Sequence, residues 1–229
     1  MKSVWMAVLA VLVIMGSAVG EEPVSLKSQK DKISYIIGLD IGNNLKRQSA
    51  DVDLDILSKG MKDALSGNKP LMSEDEIREV TTAFRQEMAK KQAEEVKKLA
   101  EKNKREGEAF LEENKKKEGV KTLASGLQYK VVTEGGGRSP KESDTVTVNY
   151  KGTFVDGTEF DSSYKRGEPA TFPVNGVIKG WTEALPLMKE GAKWQLFIPP
   201  SLAYGEAGAG NAIGPDATLI FEVELISIK

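Results

Sequence analysis

The spacing of apolar residues changes once along the chain, and this change divides it into a helical half and a β half. From Ser28 onward, apolar residues recur every three or four positions, as they do on one face of an amphipathic helix. After Gly119 they alternate with polar residues, as they do in strands with one buried face. The sequence therefore predicts an all-α N-terminal domain, residues 21–72, ahead of an α+β domain, residues 119–229.

Two amphipathic helices are predicted in the N-terminal domain. The second begins after Asp53, a good N-cap, and Gly67 and Pro70 close it in the usual order. Two helices of this size enclose little core, so their apolar faces need a partner. A second copy of the chain is the simplest partner, which predicts a homodimer formed through residues 28–88. The apolar stripe of the first helix consists of Ile33, Ile36, Ile37, Ile41 and Leu45.

A long charged helix is predicted over residues 73–118. Ser73 and Glu76 form a capping box ahead of an apolar series, and most residues from 90 to 118 are charged. We expect one continuous helix from Glu74 to Glu118 that connects the two domains, buried in its first turns and solvated beyond them. A disordered linker and a coiled coil are the alternatives. Good helix formers oppose the first and a sparse heptad repeat opposes the second, although Gly107 weakens a helix by ~1 kcal/mol relative to alanine.

The β half is interpreted as an antiparallel sheet wrapped on one short helix. Asp156 and Gly157 predict a hairpin turn, and the short helix is expected over residues 180–188, kinked by Pro186. The alternation that predicts the strands runs through Leu127, Tyr129 and Val131; Val146, Val148 and Tyr150; Trp194, Leu196 and Ile198; and Leu219, Phe221, Val223 and Leu225.

The first twenty residues have the pattern of a secretory signal peptide. Lys2 precedes an unbroken apolar run from Val4 to Met15, and small residues at positions 18 and 20 suit a cleavage site. The run is short for a membrane span, which needs ~20 residues. Cleavage after Gly20 is therefore favoured over a retained anchor, and the protein is expected to be exported.

Composition narrows the possible chemistry. The chain has no histidine and no cysteine, which removes Ser/His and Cys/His nucleophile systems and metal sites built on those side chains. A net charge of -2 offers no basic excess for nucleic acid. The glycine-rich segment 205–214 lacks the Lys-Ser/Thr of a phosphate loop and is interpreted as an ordinary flexible surface loop. No cofactor, metal or nucleic acid is expected.

A set of aromatic residues with one carboxylate, Asp161, remains. Any one of these aromatics is more simply explained as a core residue of a small β domain. The carboxylate counts against a purely structural protein, since a scaffold has no need of a charge among buried aromatics, but the residues alone leave core and cavity as alternatives. The set consists of Tyr150, Phe154, Phe160, Trp181, Tyr204 and Phe221.

The order and spacing of this set resemble those of the FKBP-type peptidyl-prolyl cis/trans isomerases. The helical half is similar to the dimerisation region of the exported, macrophage infectivity potentiator-like subgroup, through Ile33–Gly42 and the long charged helix. This resemblance implies a location in the bacterial envelope, either periplasmic or associated with the outer membrane. In the β half it covers about Ser125 to Lys229 and rests on the segments Val146–Tyr150, Gly152–Asp161, Val177–Trp181, Ala203–Gly205 and Ala217–Val223.

The same resemblance implies roles for individual residues. Trp181 would form the floor under the proline ring, and the Tyr204 hydroxyl and the Ile178 backbone N–H would bind substrate carbonyls. Ala170 and Ala209 depart from the family, which places phenylalanine and often histidine there, so we expect an altered substrate preference. The implied catalytic residues are Tyr150, Phe160, Asp161, Trp181, Tyr204 and Phe221, and the implied substrate-binding residues are Phe172, Val177, Ile178 and Ile213.

The function implied is isomerisation of X-Pro bonds in unfolded or partly folded exported proteins. Chaperone activity would come from a dimeric cradle, and macrolides of the FK506 or rapamycin type are possible inhibitors. Two other functions are weighed against this one. The first is a holdase chaperone in which isomerase activity is secondary, and the second is a structural or adhesive protein with the β domain as scaffold.

Overall fold

The computed structural model describes residues 25–229, which form two compact units, one ending at Leu71 and one running from Met72 to Lys229. The predicted signal peptide lies outside the described residues. Within residues 25–229, no helix combines the length and apolar character needed to cross a membrane. The long charged helix and the β domain belong to the same unit.

The first unit contains two helices, α1 (Gln29–Arg47) and α2 (Leu54–Ser66). The Ser28 side chain caps α1, and the Asp53 side chain accepts two backbone N–H groups at the start of α2. Gly67 ends α2 with a left-handed φ of 68°, as the sequence predicts. Neither helix has a buried residue in the single chain.

Helix α3 (Glu74–Asn114) opens the second unit and is 41 residues long, ~60 Å at 1.5 Å per residue. The capping box at Ser73 is confirmed. The expected end at Glu118 is wrong by one turn. The expected burial is also wrong for the single chain, because the buried residues of α3 are Gly107 and Asn114, close to its C-terminal end. The apolar residues of its first turns remain substantially exposed: Ile77, Val80 and Phe84.

The last turns of α3 pack on the sheet face opposite the core. Asn114 Nδ2 donates to Gln128 Oε1 over 2.9 Å, and the Phe110 and Phe197 rings lie 5.9 Å apart. A Cβ at Gly107 would lie 2.2 Å from Thr218 Oγ1. Sequence alone marks this glycine as a weak point in the helix, whereas the structure shows that it allows the close approach of helix and sheet.

The sheet has seven strands, all paired antiparallel, in the order β1-β2-β6-β7-β3-β4, with β5 also paired to β3. Single-turn helix α4 and short helix α5 lie between strands, and four short 3-10 turns complete the described elements. The bounds are β1 Val120–Thr122, β2 Gln128–Thr133, β3 Thr145–Phe154, β4 Glu159–Ser162, α4 Ser163–Arg166, β5 Ala170–Pro173, α5 Lys179–Ala184, β6 Lys193–Ile198 and β7 Leu219–Ile228.

The core lies between one face of the sheet and α5, which confirms the α+β fold class. Alternate residues of β3, β6 and β7 point inward, as predicted, and meet the buried Trp181 and Leu185. Pro186 falls in a 3-10 turn that follows α5, because proline cannot donate the hydrogen bond that a continuing α-helix requires. The short helix therefore ends at Ala184, earlier than the predicted residue 188.

Residues 205–214 are largely at the surface, as predicted, but they are not an irregular loop throughout. The segment begins with a 3-10 turn, and a β-bridge joins Ala209 to Ile213, whose side chain is buried in the core. Just beyond it, Asn103 of α3 donates to the Pro215 carbonyl over 2.7 Å. The buried Ile213 side chain therefore anchors the loop in the core, and the hydrogen bond from Asn103 ties it to α3. We call residues 205–218 the clamped loop.

Candidate active site

An open cavity of about 410 Å³ lies at one end of the core. Strands β3, β4, β5 and β7 supply aromatic walls, the segment before α5 supplies aliphatic ones, and α5 supplies the indole of Trp181. The structure thus brings together nine of the ten predicted site residues. The lining consists of Tyr150, Phe160, Asp161, Phe172, Gly176, Val177, Ile178, Trp181, Tyr204 and Phe221.

The aromatic rings of the cavity stand edge-on to one another around Trp181. Its indole makes near-perpendicular contacts with Tyr150 at 5.4 Å, Phe172 at 6.1 Å and Phe221 at 5.3 Å between ring centroids. Phe160 meets Phe221 in the same way at 5.5 Å. Edge-to-face pairs are favourable arrangements of ring quadrupoles, so these contacts stabilise one shape of the cavity.

Gly152 makes the contact between Phe160 and Phe221 possible. It lies opposite Phe221 in the β3–β7 ladder and opposite Asp161 in the β3–β4 ladder. A Cβ at this position would lie 2.6 Å from Phe160 and 2.8 Å from Phe221, closer than side chains approach. This glycine was not predicted as a site residue, although an isolated glycine inside a strand is the signal for such a close approach.

Asp161 belongs to a hydrogen-bonded trio with Tyr150 and Arg166. The Tyr150 hydroxyl donates to Asp161 Oδ2 over 2.5 Å, and the Arg166 guanidinium donates to Asp161 Oδ1 over 2.5 Å and to the Tyr150 hydroxyl oxygen over 2.7 Å. The Ser162 N–H donates to Asp161 Oδ1 over 2.8 Å. Arg166 was not predicted as a site residue, since a charged residue at the end of a one-turn helix carries no motif of its own.

These contacts keep Asp161 ionised. Burial favours the neutral acid, but the hydrogen bonds from Tyr150 and Arg166 and the guanidinium charge outweigh it, so the pKa of Asp161 lies below its usual value. Burial, followed by the hydrogen bond to Asp161, raises the pKa of Tyr150. At neutral pH the trio is therefore a carboxylate, a neutral phenol and a cation, and the carboxyl group holds no proton to donate.

Two free hydrogen-bond donors border the cavity. The Tyr204 side chain is 40% exposed, and its hydroxyl has no hydrogen bond to any described residue. The Ile178 backbone N–H is likewise unpaired within residues 25–229, since Ile178 takes part only as an acceptor, for Trp181 and Thr182. Both donors are available to a bound carbonyl oxygen.

Ile213 is the one predicted site residue that does not line the cavity. It is buried in the core and lines a separate groove of about 590 Å³ between α3 and the clamped loop. Ala170 and Ala209, where the family resemblance led us to expect larger residues, are partly buried against the core and do not line the cavity either. Phe172, on the same strand face as Ala170, supplies the aromatic wall.

Comparison with known proteins shows which protein family has this sequence and fold. The family described as FKBP-type peptidyl-prolyl cis-trans isomerase matches residues 136–226, and the domain described as amino terminal to it matches residues 30–131. The chain is 47% identical over 229 residues to Outer membrane protein MIP of Legionella longbeachae, covering 100% of this chain and 98% of that protein. The chain belongs to the FKBP-type peptidyl-prolyl cis-trans isomerases. The predicted family is thereby confirmed.

Other members of the family match along most of the chain as well. Peptidyl-prolyl cis-trans isomerase Mip of Coxiella burnetii is 46% identical over 229 residues, covering 100% of this chain and 99% of that protein. The crystal structure of FkpA from Escherichia coli is 43% identical, covers 90% of this chain and 99% of that one, and superposes with a TM-score of 0.70. The helical half is therefore shared with these FKBP-type proteins, together with the isomerase domain.

Proposed function

We propose that this protein accelerates cis/trans isomerisation of X-Pro bonds while exported proteins fold. The observation that carries the proposal is the cavity itself, in which apolar rings surround the buried indole of Trp181. Two of its lining residues, Ile178 and Tyr204, carry donors that have no partner among residues 25–229. Relatives that match over nearly their whole length are named as peptidyl-prolyl cis-trans isomerases, which supports the same reaction for this chain.

The barrier that must be lowered comes from amide resonance, about 18–20 kcal/mol. Rotation about the C–N bond breaks that resonance and leaves a carbonyl that is less polar than in the planar amide. A cavity that excludes water destabilises the dipolar planar form relative to the twisted one, and this difference lowers the barrier. No nucleophile is required for this reaction.

The residues divide this work among them. Trp181 and the surrounding rings would hold the proline ring while the acyl side rotates. The Tyr204 hydroxyl and the Ile178 N–H would bind flanking carbonyls and fix the peptide across the cavity. Asp161, held as a carboxylate by Arg166 and Tyr150, would act on the rotating carbonyl through its field, because it has no proton to transfer.

Substitutions in the cavity test this proposal with a proline-containing peptide. We expect Trp181→Leu, Asp161→Ala and Tyr204→Phe each to lower kcat/KM, with Trp181→Leu costing about tenfold or more, which corresponds to ~1.4 kcal/mol. Tyr164→Phe is the matched control, because Tyr164 is 48% exposed, lies outside the cavity and pairs with Glu224. Three variants that all retain the activity of the control would place the reaction elsewhere.

We also propose that the mature protein works in the bacterial envelope, in the periplasm or at the outer membrane. The N-terminal sequence pattern supports export, and one relative carries the name Outer membrane protein MIP. Sequencing the N-terminus of the exported protein tests cleavage after Gly20. Fractionation of the envelope then separates the soluble location from the membrane-associated one, and recovery in the cytoplasm would contradict both.

The helical unit is proposed to form a homodimer and to add chaperone activity toward unfolded, proline-containing proteins. Support comes from the apolar residues that α1 and α2 leave exposed, among them Ile36 at 56% and Leu54 at 71%. A dimer would hold two cavities on one client and raise their effective concentration.

Suppression of aggregation is expected to survive Trp181→Leu and to be lost without residues 21–71. A macrolide of the FK506 type is expected to inhibit peptide isomerisation only.

A further inference from the structure

One peptide group of the clamped loop is held on both sides. Its carbonyl oxygen, from Pro215, accepts a hydrogen bond from Asn103 Nδ2 of α3 over 2.7 Å. Its amide, from Asp216, donates to the Gly205 carbonyl over 2.9 Å. The two bonds point in opposite directions, as the trans peptide plane requires, so together they fix the orientation of that plane.

The backbone at Asp216, directly beyond this peptide group, has an uncommon conformation. Asp216 has a φ of 52°, a left-handed value that residues with a Cβ adopt rarely. A rotation of the Pro215–Asp216 plane would relieve it and would turn the Asp216 N–H away from Gly205. The hydrogen bond from Asn103 opposes that rotation, because it would be lost in the same movement.

The Gly205 carbonyl connects this peptide group to the cavity. Gly205 follows Tyr204 directly in the chain, and its φ of 59° sets the direction in which the loop leaves the tyrosine. The Tyr204 side chain lines the cavity, whereas the opposite side of the loop lines the groove against α3. A change at Asp216 therefore reaches the tyrosine through one hydrogen bond and one residue.

We propose that Asn103 is a positioning residue for the isomerase reaction: through the Pro215–Asp216 peptide group, α3 holds the clamped loop in the conformation that places the Tyr204 hydroxyl at the cavity. The inference rests on the proposed isomerase function. It gives the long helix a part in catalysis that is separate from any role in bringing two chains together.

Asn103→Ala in the full chain tests the proposal, with Asn114→Ala as matched control. Both residues are asparagines of α3 that donate to the β domain, but Asn114 bonds to Gln128 Oε1, away from the loop. We expect Asn103→Ala to lower kcat/KM on a proline peptide about three- to tenfold, the range for loss of one hydrogen bond. Asn114→Ala is expected to keep the wild-type value per folded molecule. Equal kcat/KM values for the two variants would overturn the proposal.

Hydrogen exchange supplies a readout that does not depend on activity. Exchange of the Asp216 amide is expected to be about tenfold faster in Asn103→Ala than in wild type and unchanged in Asn114→Ala. An unchanged rate in Asn103→Ala would show that the clamp does not exist. Were wild type to lack isomerase activity, the proposed function would fail, while the exchange rates would still decide whether α3 holds the loop.

A double-mutant cycle separates positioning of Tyr204 from general stability. In a Tyr204→Phe background, Asn103→Ala is expected to cause no further loss of kcat/KM, because the hydroxyl that it positions is already absent. A full additional loss in that background would show that Asn103 acts by another route. Asn103→Asp repeats the test with the same side-chain size and no donor, in case the alanine variant folds poorly.

Discussion

Every fully buried apolar residue found among the described residues lies between Leu127 and Leu225, whereas α1 and α2 contain no buried residue at all. The β domain therefore closes its own core, and the described part of the helical unit does not. Burying a side chain such as isoleucine stabilises a fold by about 1.5–3 kcal/mol, so a unit that leaves several exposed gains most from a partner. The apolar side chains of the β domain are thus buried within one chain, whereas those of α1 and α2 stay exposed in the single chain, which supports the proposed dimer.

Charges introduced into the apolar stripe of α1 are expected to have the largest effect on the proposed dimer. The double variant Ile36→Glu, Ile37→Glu is expected to weaken the proposed dimer by at least about 100-fold, since each isoleucine contributes ~1.5–3 kcal/mol where it is buried. Sedimentation of residues 21–229 measures the effect. Lys32→Glu, on the same helix, changes the net charge by the same amount and is expected to leave the dimer intact. A monomeric wild-type protein would contradict the proposed homodimer.

Truncation tests whether the last turns of α3 are needed for the stability of the β domain. A piece that starts at residue 119 lacks the turns of α3 that cover Phe197 and pair with Gln128. We expect it to be less stable than a piece starting at residue 92 by about 3 kcal/mol, the value for burial of one aromatic side chain. Denaturant unfolding of both pieces gives this difference. Equal free energies of unfolding would mean that α3 only touches the sheet and does not stabilise it.

Gly107→Ala tests the packing of α3 on the sheet by adding one methyl group beside Thr218. Alanine favours a free helix, but here its Cβ would overlap Thr218 Oγ1, so we expect a net loss of about 1–3 kcal/mol in the free energy of unfolding. In a Thr218→Ala background most of that loss is expected to disappear, because the overlapping oxygen is gone. Stabilisation by Gly107→Ala in the wild-type background would contradict the close approach of α3 and the sheet.

The pH dependence of activity tests whether Arg166 and Tyr150 keep Asp161 ionised. The pKa of Asp161 is depressed in the folded protein, so its contribution to stability is present above its unfolded value and is lost as pH falls through the folded value. We expect kcat/KM to stay level from neutral pH down to about pH 4, the ordinary aspartate range. Arg166→Met removes the cation and is expected to move the acid limb upward. The same shift in residues 72–229 would locate the effect entirely within this unit.

Local patterns predicted the elements well, because caps and alternation act over a few residues. Ser28, Asp53 and Gly67 lie where capping chemistry places them, and Val146 and Val148 point inward as the period of two requires. The family resemblance predicted which residues line the cavity, except for Ile213, which faces the core and the groove.

Contacts between distant residues could not be predicted in the same way. Asn103 and Pro215 are 112 residues apart, and nothing in the sequence around either one identifies the other. Arg166 was missed because its partners depend on how β3, β4 and α4 meet. Gly107 was read as a cost to the helix, since only the position of Thr218 reveals why a side chain is excluded there.

The perpendicular rings around Trp181 have a consequence for timing. A ring that stands edge-on against its neighbours flips only when they move aside, so Tyr150, Phe172 and Phe221 are expected to turn over together and slowly compared with exposed rings. The cavity then keeps its outline between one encounter with a chain and the next. A proline that arrives meets a surface that needs no ordering, so little entropy is lost from the protein side on binding.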